Sequence, residues 1–107
     1  MSGSRGRTYV KTYQTENGLL VAACDEEVLG LRLEDKSGGV SFYVDPHFFN
    51  GGIVDLREAI ELLKKAAMAN IVGNRIVESA VREGLVLEDS VLVVGGVKVA
   101  MFITLQY

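Results

Sequence analysis

The sequence predicts a single α+β domain in which an antiparallel sheet, built from hairpins, carries two helices on one face. Three observations lead to this fold class. Segments rich in β-branched and aromatic residues alternate with turn signals towards both ends of the chain. Between them, about thirty residues from Asp55 to Gly84 show a helical period. The length of 107 residues suits one hydrophobic core, because two smaller domains would each bury too little apolar surface.

The N-terminal sequence predicts a mobile arm that is followed by a hairpin. Residues 1–7 are small, polar and basic, and they precede a core domain that we place at residues 8–107. The segments from Thr8 to Thr15 and from Leu19 to Cys24 then predict two strands. Asn17-Gly18 between them is a strong signal for a two-residue hairpin turn.

Two further strands are expected before the helical region. Leucines alternate with charged residues from Val28 to Glu34, and apolar residues alternate with polar ones from Val40 to Val44. The loop between them is polar and contains glycine, so the two strands should pair with each other. The next segment, from Asp45 to Gly52, has no period and contains the only proline and the only histidine, His47. It predicts a shaped loop.

The helical region predicts two helices without a strand between them. Asp55 and Glu58 have the spacing of a capping box. One apolar stripe follows at helical spacing: Leu56, Ala59, Ile60, Leu63, Ala66 and Ala67. A second helix is expected from about Gly73 to Glu83, with Gly84 as the terminating residue. Asn70 or Gly73 should mark a kink or a tight turn between the helices.

The chain closes with another predicted hairpin. Its strands run from Val91 to Val94 and from Val97 to Tyr107, and Gly95-Gly96 joins them. The complete predicted order is β-β-β-β-α-α-β-β, with both helices on one face of the sheet. A strand as long as the last one, when it lies at a sheet edge, exposes unpaired N–H and C=O groups that favour pairing with another strand. The sequence therefore also predicts a homodimer formed through this C-terminal strand.

Charge and composition exclude several classes of function. The net charge of −3 and the isoelectric point of about 5.1 argue against a domain that binds nucleic acid or anionic membrane by overall charge. We expect no sequence-specific DNA binding. The N terminus lacks the apolar segment of a secretion signal, and the most apolar stretch, Val91 to Leu105, falls short of the ~20 residues of a membrane span. A cytoplasmic protein is expected.

No motif specifies a reaction, a metal site or a cofactor, so none is predicted. Cys24, the only cysteine, precedes three acidic residues, which disfavour the thiolate that a nucleophile needs. His47 has no second histidine with which to form a common zinc site. A Cys24–His47 pair would require the Pro46 loop to fold over the end of the second strand. That arrangement stays open as the less favoured alternative.

Candidate binding residues lie beside the cysteine and in the two segments of unusual composition. They are Cys24, Asp25, His47, Phe48, Asn50, Asn70, Gly73 and Arg75. For the adjacent phenylalanines, burial of one ring beneath the first long helix is favoured over its presentation to a partner. For Gly73, close packing is favoured, because a glycine inside a helical segment costs about 1 kcal/mol relative to alanine.

Several segments of the sequence resemble those of a known protein family. They are Cys24-Asp25-Glu26-Glu27-Val28-Leu29-Gly30, Asn50-Gly51-Gly52-Ile53-Val54-Asp55, Glu58-Ala59, and Ala69-Asn70-Ile71-Val72-Gly73-Asn74-Arg75 through Gly84-Leu85-Val86. With these the chain resembles a small archaeal family known as domain of unknown function 424, over most of its length from Tyr9 onward. The resemblance implies an archaeal cytoplasmic protein without an assigned activity, and it supplies no catalytic residue.

Two functions are therefore predicted as alternatives. The favoured one is a non-enzymatic binding or adaptor domain with a protein or ribonucleoprotein partner, in RNA-linked or translation machinery. It would use the loop from His47 to Gly52 and the junction from Asn70 to Arg75. The second is a small-molecule-binding protein or an enzyme with a pocket near Cys24, His47 and Asn70, together with Asp25.

Overall fold

The computed structural model describes residues 6–104, which form eight strands, three helices and two 3-10 turns. In chain order they are β1 (Arg7–Thr15), β2 (Gly18–Asp25), a 3-10 turn (Glu26–Val28), β3 (Arg32–Glu34), β4 (Ser41–Tyr43), α1 (Pro46–Phe49), β5 (Ile53–Asp55), α2 (Leu56–Lys65), β6 (Met68–Val72), α3 (Asn74–Arg82), a 3-10 turn (Glu88–Ser90), β7 (Leu92–Val94) and β8 (Val97–Ile103). Six strands make one mixed sheet in the order β5-β1-β2-β6-β8-β7, and β3 pairs with β4 in a separate sheet.

The predicted α+β class is confirmed, and both long helices lie on one face of the six-stranded sheet. Their apolar sides meet the sheet in one core, formed by Val10, Val21, Ala23, Ala59, Ile60, Leu63, Ala66, Ala69, Ile71, Ile76, Val77, Ala80, Val86 and Ala100. The predicted cap of α2 is present, since the Asp55 carboxylate accepts a hydrogen bond from the Glu58 N–H at 2.8 Å. Gly84, with φ of +78°, follows the end of α3 as expected.

The prediction that residues 55–84 contain only helices was wrong. Met68–Val72 is a strand, β6, and it lies between β2 and β8 in the middle of the sheet. It runs parallel to β2, with Leu20 opposite Met68 and Cys24 opposite Val72, so the sheet is mixed and not purely antiparallel. Five mostly apolar residues are too few to show a period that separates a strand from a segment of buried helix. Asn70 is therefore in a strand, while Gly73 does occupy a tight turn.

The segment predicted as a shaped loop contains two short elements, α1 and β5. The Asp45 carboxylate accepts a hydrogen bond from the His47 N–H at 2.9 Å, and Pro46 occupies the first helical position, so one helical turn forms. Strand β5 then pairs with the beginning of β1 at one edge of the sheet. Elements of three or four residues are too short to produce a periodic pattern.

A second core covers part of the opposite face of the sheet. The hairpin of β3 and β4, helix α1 and the first 3-10 turn contribute side chains to it, and its buried members are Ala22, Cys24, Val28, Leu33, Val44, Phe49, Val72 and Val94. Phe49 is 2 % exposed here, on the side of the sheet opposite α2. The expectation that one phenylalanine is buried is confirmed, but its predicted position beneath the first long helix was wrong.

Both predicted hairpins at the ends of the chain are present. In the first, Thr15 pairs with Gly18, so Glu16 and Asn17 form the turn, one residue earlier than predicted. Gly18 adopts a positive φ of +115°, whereas among residues 6–104 only glycines have a positive φ, so Asn17 does not form the expected turn type. In the second hairpin Gly95 and Gly96 both have positive φ, as a tight two-residue turn requires.

The ends of the chain are described only in part. Of the predicted N-terminal arm the structure describes Gly6 and Arg7, and Arg7 is the first residue of β1, 3.5 Å from the Glu26 carboxylate. The last strand ends at Ile103, and residues 105–107 of its predicted range lie outside the described part. Within residues 6–104, no helix has the length and apolar character needed to cross a membrane.

Candidate functional site

The N terminus of α3 is capped by a side chain from another part of the chain. Its own N-cap residue is Gly73, which has no side chain to offer. Asp25, the last residue of β2, accepts hydrogen bonds from the Arg75 N–H at 2.8 Å and from the Ile76 N–H at 3.0 Å. Asp25 is 1 % exposed, and this burial raises the pKa of its carboxyl, although both N–H donors and the Arg75 charge act in the opposite direction.

Gly73 is required by this cap. Its φ of +125° is a conformation that residues with a side chain rarely adopt, and a Cβ at this position would collide with the carboxylate of Asp25. The close approach of strand and helix is therefore possible only with glycine. This requirement explains physically why glycine follows valine in the segment from Ala69 to Arg75.

Arg75 and Asn74 extend the capping cluster to neighbouring elements. The Arg75 guanidinium donates two hydrogen bonds, each 2.7 Å, to the carboxylate of Glu27, and this bidentate contact lowers the pKa of that carboxyl. The Asn74 carboxamide oxygen accepts the Lys98 N–H at 2.9 Å and so ties α3 to β8. The predicted site residues Asp25, Gly73 and Arg75 thus lie together, in a cluster that holds α3 on the sheet.

Cys24 and His47 are in contrasting environments. Cys24 has no exposed surface, and burial, followed by the charges of Asp25 and Glu27, raises the pKa of its thiol to about 12. The thiol is therefore protonated at neutral pH. The His47 side chain is 99 % exposed and lies near the Asp45 carboxylate. The structure does not bring the thiol and the imidazole into one pocket.

Helix α1 is fixed to β1 by contacts to its backbone. The Tyr13 hydroxyl donates to the Phe48 carbonyl at 2.9 Å, and the Lys11 ammonium donates to the His47 carbonyl at 2.8 Å. The Phe48 ring stacks on the Tyr13 ring with centroids 5.5 Å apart. Asn50 lies at the end of α1, next to Lys11 and His47 in a shallow depression of about 300 Å³. These contacts place His47, Phe48 and Asn50 along one border of the second face of the sheet.

The strand register arranges the second face in three rows across the sheet. The first row is Tyr9, Cys24, Val72, Val99 and Leu92, and the second core covers most of it. The second row is Lys11, Ala22, Asn70 and Met101, and the third is Tyr13, Leu20, Met68 and Ile103. Apart from the buried Ala22, the residues of the second and third rows are half-buried or exposed. We call Tyr13, Leu20, Met68, Asn70, Met101 and Ile103 the open face.

An apolar groove of about 440 Å³ adjoins the open face where β7 ends. It is lined by Phe42, Asn70, Ile71, Val72, Ser90, Leu92, Val99, Ala100 and Met101. No charged side chain belongs to this lining, and only Asn70 and Ser90 contribute polar side chains. By contrast, a groove of about 410 Å³ between α2 and α3 includes Arg57, Lys64 and Glu83.

The eight predicted site residues therefore fall into three places. Cys24, Asp25, Gly73 and Arg75 belong to the capping cluster and the adjoining core, whereas His47, Phe48 and Asn50 border the open face, and Asn70 lies within it. Their binding role stays a prediction. Sequence reasoning missed Tyr13, Met68 and Met101, which the strand order places beside Asn70. Within residues 6–104, no group of three His, Cys, Asp or Glu residues is arranged to hold a metal ion.

Removal of the capping carboxylate should destabilise the domain. In Asp25→Ala the N–H groups of Arg75 and Ile76 lose their acceptor, and we expect a loss of about 2–4 kcal/mol in the free energy of unfolding. Asp25→Asn, which keeps one carbonyl acceptor of similar shape, should lose less. Urea unfolding followed by circular dichroism measures both variants. An Asp25→Ala protein within about 0.5 kcal/mol of the parent would contradict the structural role of Asp25.

The Cys24 thiol should react only when the domain opens. Because it is buried and protonated, we expect iodoacetamide to alkylate the native protein at least about 1,000-fold more slowly than the urea-unfolded chain at pH 7.5. A Glu16→Cys substitution in a Cys24→Ala background places a thiol in the exposed first turn and should react quickly under native conditions. Fast native labelling of Cys24 would contradict a purely structural thiol and would favour the enzyme hypothesis.

Comparisons with known proteins agree with the fold and add a family. The sequence matches the family described as "Protein of unknown function (DUF424)" over residues 13–105. Among solved structures, the chain is similar to the crystal structure of an uncharacterized conserved protein from Methanopyrus kandleri, with 24 % sequence identity and a TM-score of 0.74. The similarity covers 91 % of this chain and 90 % of that one, and it shows a common fold. No curated protein matches the sequence. The match over residues 13–105 shows that the chain belongs to the DUF424 family of proteins of unknown function.

Proposed function

We propose that this protein is a non-enzymatic binding or adaptor domain of the cytoplasm that docks a partner protein on the open face. The observation that carries the proposal is the uncharged groove beside Asn70. At this groove Leu92 is 65 % exposed and Met101 is 64 % exposed, and Ile103, two residues further along β8, is 66 % exposed. A continuous apolar surface of this kind marks interaction sites in folded proteins.

The composition of the open face suits a protein partner. Burial of apolar surface contributes roughly 25 cal/mol per Å², so a partner that covers the exposed side chains of β8 gains binding free energy there. Met68 and Met101, two of the three methionines of the chain, lie on this face. Methionine side chains are flexible and polarizable, and they adapt to the shape of an apolar partner.

Charge favours protein over RNA as the direct partner. Binding to RNA requires cations that meet phosphate groups, and the lining of the groove has none. Lys11, the cation in the second row of this face, donates to the His47 carbonyl. Several cations of the described region already face acids: Lys64 lies 3.2 Å from Glu83 and Lys98 lies 3.1 Å from Glu78. A partner that belongs to a ribonucleoprotein would then contact this domain through its protein component.

Asn70 and α1 would supply orientation and specificity. Asn70 places a carboxamide, with donor and acceptor groups, among apolar side chains, and such isolated polar groups fix the orientation of a bound segment. At the opposite border, the Phe48 ring stacked on Tyr13 and the exposed His47 offer aromatic and polar contacts. The alternative of an enzyme pocket near Cys24, His47 and Asn70 has less support, because the thiol is buried and the imidazole projects into solvent.

The proposal predicts that a charge placed on the open face abolishes capture of the partner. In Asn70→Lys an ammonium group enters the apolar groove, and partner capture from a lysate of the source organism should fall at least about tenfold. Thr12→Lys is the matched control, because it adds the same charge at an exposed position on the other face of β1 and should leave capture intact. Phe48→Ala, at the α1 border, should weaken capture to a smaller extent.

The readout is quantitative mass spectrometry of nuclease-treated and untreated captures, with thermal unfolding as a check that each variant is folded. Proteins that depend on Asn70 and survive nuclease support the proposal. Equal capture by folded Asn70→Lys would overturn the assignment of the surface. Loss of every Asn70-dependent protein after nuclease treatment would show that RNA mediates the contact and would overturn the choice of a direct protein partner.

A further inference from the structure

We propose that the outer edge of β8 pairs with β8 of a second copy of this chain, antiparallel and about a two-fold axis. The dimer does not require a partner on the open face, although both contacts use the side chains of Met101 and Ile103. It arises from the way in which β7 covers only part of β8. Pairing between them ends at Leu92 and Val99, while β8 continues to Ile103.

Hydrogen bonds on the other side of β8 define which backbone groups face the uncovered edge. The Lys98 carbonyl accepts from the Gly73 N–H at 2.8 Å, and the Thr104 N–H donates to the Ala67 carbonyl at 2.7 Å, both on the side of β6. Along a strand the N–H and C=O groups of successive residues point alternately to the two sides. The backbone groups of Met101 and Ile103 therefore point outward, beyond the end of β7.

This edge lacks the features that normally prevent strand pairing. Protected edges are very short, or they carry charged residues, proline or a bulge. Strands β5 and β7 follow that rule, because each has three residues. From Val99 to Thr104, in contrast, the sequence Val-Ala-Met-Phe-Ile-Thr contains no charge and no proline. An edge of this composition is open to pairing with a further strand.

A second copy fits the edge because the edge is self-complementary. In an isologous contact the same segment lies on both sides of the two-fold axis, so a segment of one charge would face a copy of the same charge. The uncharged segment from Val99 to Thr104 avoids this repulsion. Antiparallel pairing would let the outward N–H and C=O groups of Met101 and Ile103 bond to the C=O and N–H groups of the same two residues in the copy. It would also pack the exposed Met101 and Ile103 side chains, 64 % and 66 % exposed, against those of the copy.

The resulting dimer would join two six-stranded sheets edge to edge and place two open faces side by side on one surface. The paired segment is short, so the interface is smaller than the roughly 1,200–2,000 Å² of stable complexes. We therefore expect a reversible dimer that forms in the range of about 10 μM to about 1 mM. An adaptor of this kind would bind a two-fold symmetric or repeated partner with increased avidity.

Sedimentation velocity of the purified protein, from about 10 μM to about 1 mM, tests the dimer. We expect the apparent mass to rise from 11.6 kDa towards twice that value as concentration increases. Ile103→Pro removes the outward N–H but no hydrogen bond to β6, so this variant should stay monomeric. A strict monomer throughout the range, or an unchanged dimer in folded Ile103→Pro, would overturn the proposal.

Cysteine cross-linking keeps the proposal falsifiable if the proline variant fails to fold. In a Cys24→Ala background, an equimolar mixture of Met101→Cys and Ile103→Cys proteins should form disulfide-linked dimers under mild oxidation, because antiparallel pairing about an axis near Phe102 places position 101 of one copy opposite position 103 of the other. Ile53→Cys on β5, at the opposite edge, is the control and should cross-link at least about tenfold less. Equal cross-linking at both edges would overturn the pairing of β8. Isolation of the protein from its source with a strand of another protein bound at this edge would also overturn the proposal.

Both proposals can fail separately. The dimer experiments use purified protein without a partner, so they give the same result whether or not the open face binds one. The capture experiment depends on Asn70 in the interior of the sheet, whereas dimerisation depends on the backbone of β8. Loss of capture in Asn70→Lys with unchanged sedimentation would support the open face without bearing on the dimer.

Discussion

The carboxylate of Asp25 is the contact on which the rest of the structure depends. It ends β2, and it also caps α3 through two backbone N–H groups that lie fifty or more residues later in the chain. Since β6 leads directly through Gly73 into α3, this one side chain sets the approach of strand and helix. A second core then forms on the reverse side of the same strands, where Cys24 and Val72 are buried next to each other. The burial of Asp25 is thus explained by its structural role as the cap of α3.

The two faces of the sheet differ in how completely they are covered. Helices α2 and α3 lie on one face, whereas the other is covered at one end by short elements. At the end left open, apolar residues that a longer covering element would bury remain in contact with water, and Met101 and Ile103 are the clearest examples. The Cys24 thiol is buried, and the His47 imidazole is isolated in solvent. This asymmetry favours a surface that recognises another macromolecule.

Local signals in the sequence predicted much of the fold. The α2 cap at Asp55 and the glycine pair of the last hairpin act over three or four residues, so they can be read from the chain directly. The central strand β6 could not be predicted, because a short and mostly apolar segment between two helices has no period that separates a strand from a helix. The candidate site was harder to predict than the fold. Asn70 was singled out for its unusual neighbours, but Tyr13 and Met101 join it only through strand order, which local patterns do not encode.

Methyl NMR of the protein with its captured partner tests the central claim, that the open face is the contact surface, most directly. With ¹³C-labelled methionine and valine methyl groups, the signals of Met68 and Met101 should shift or broaden as the partner is added. Val93, which is 59 % exposed and lines a groove beside α3 on the helical side of the sheet, should not change. That result would locate binding on the open face. Perturbation of Val93 with unchanged Met68 and Met101 would place the contact on the helical face and would contradict the account.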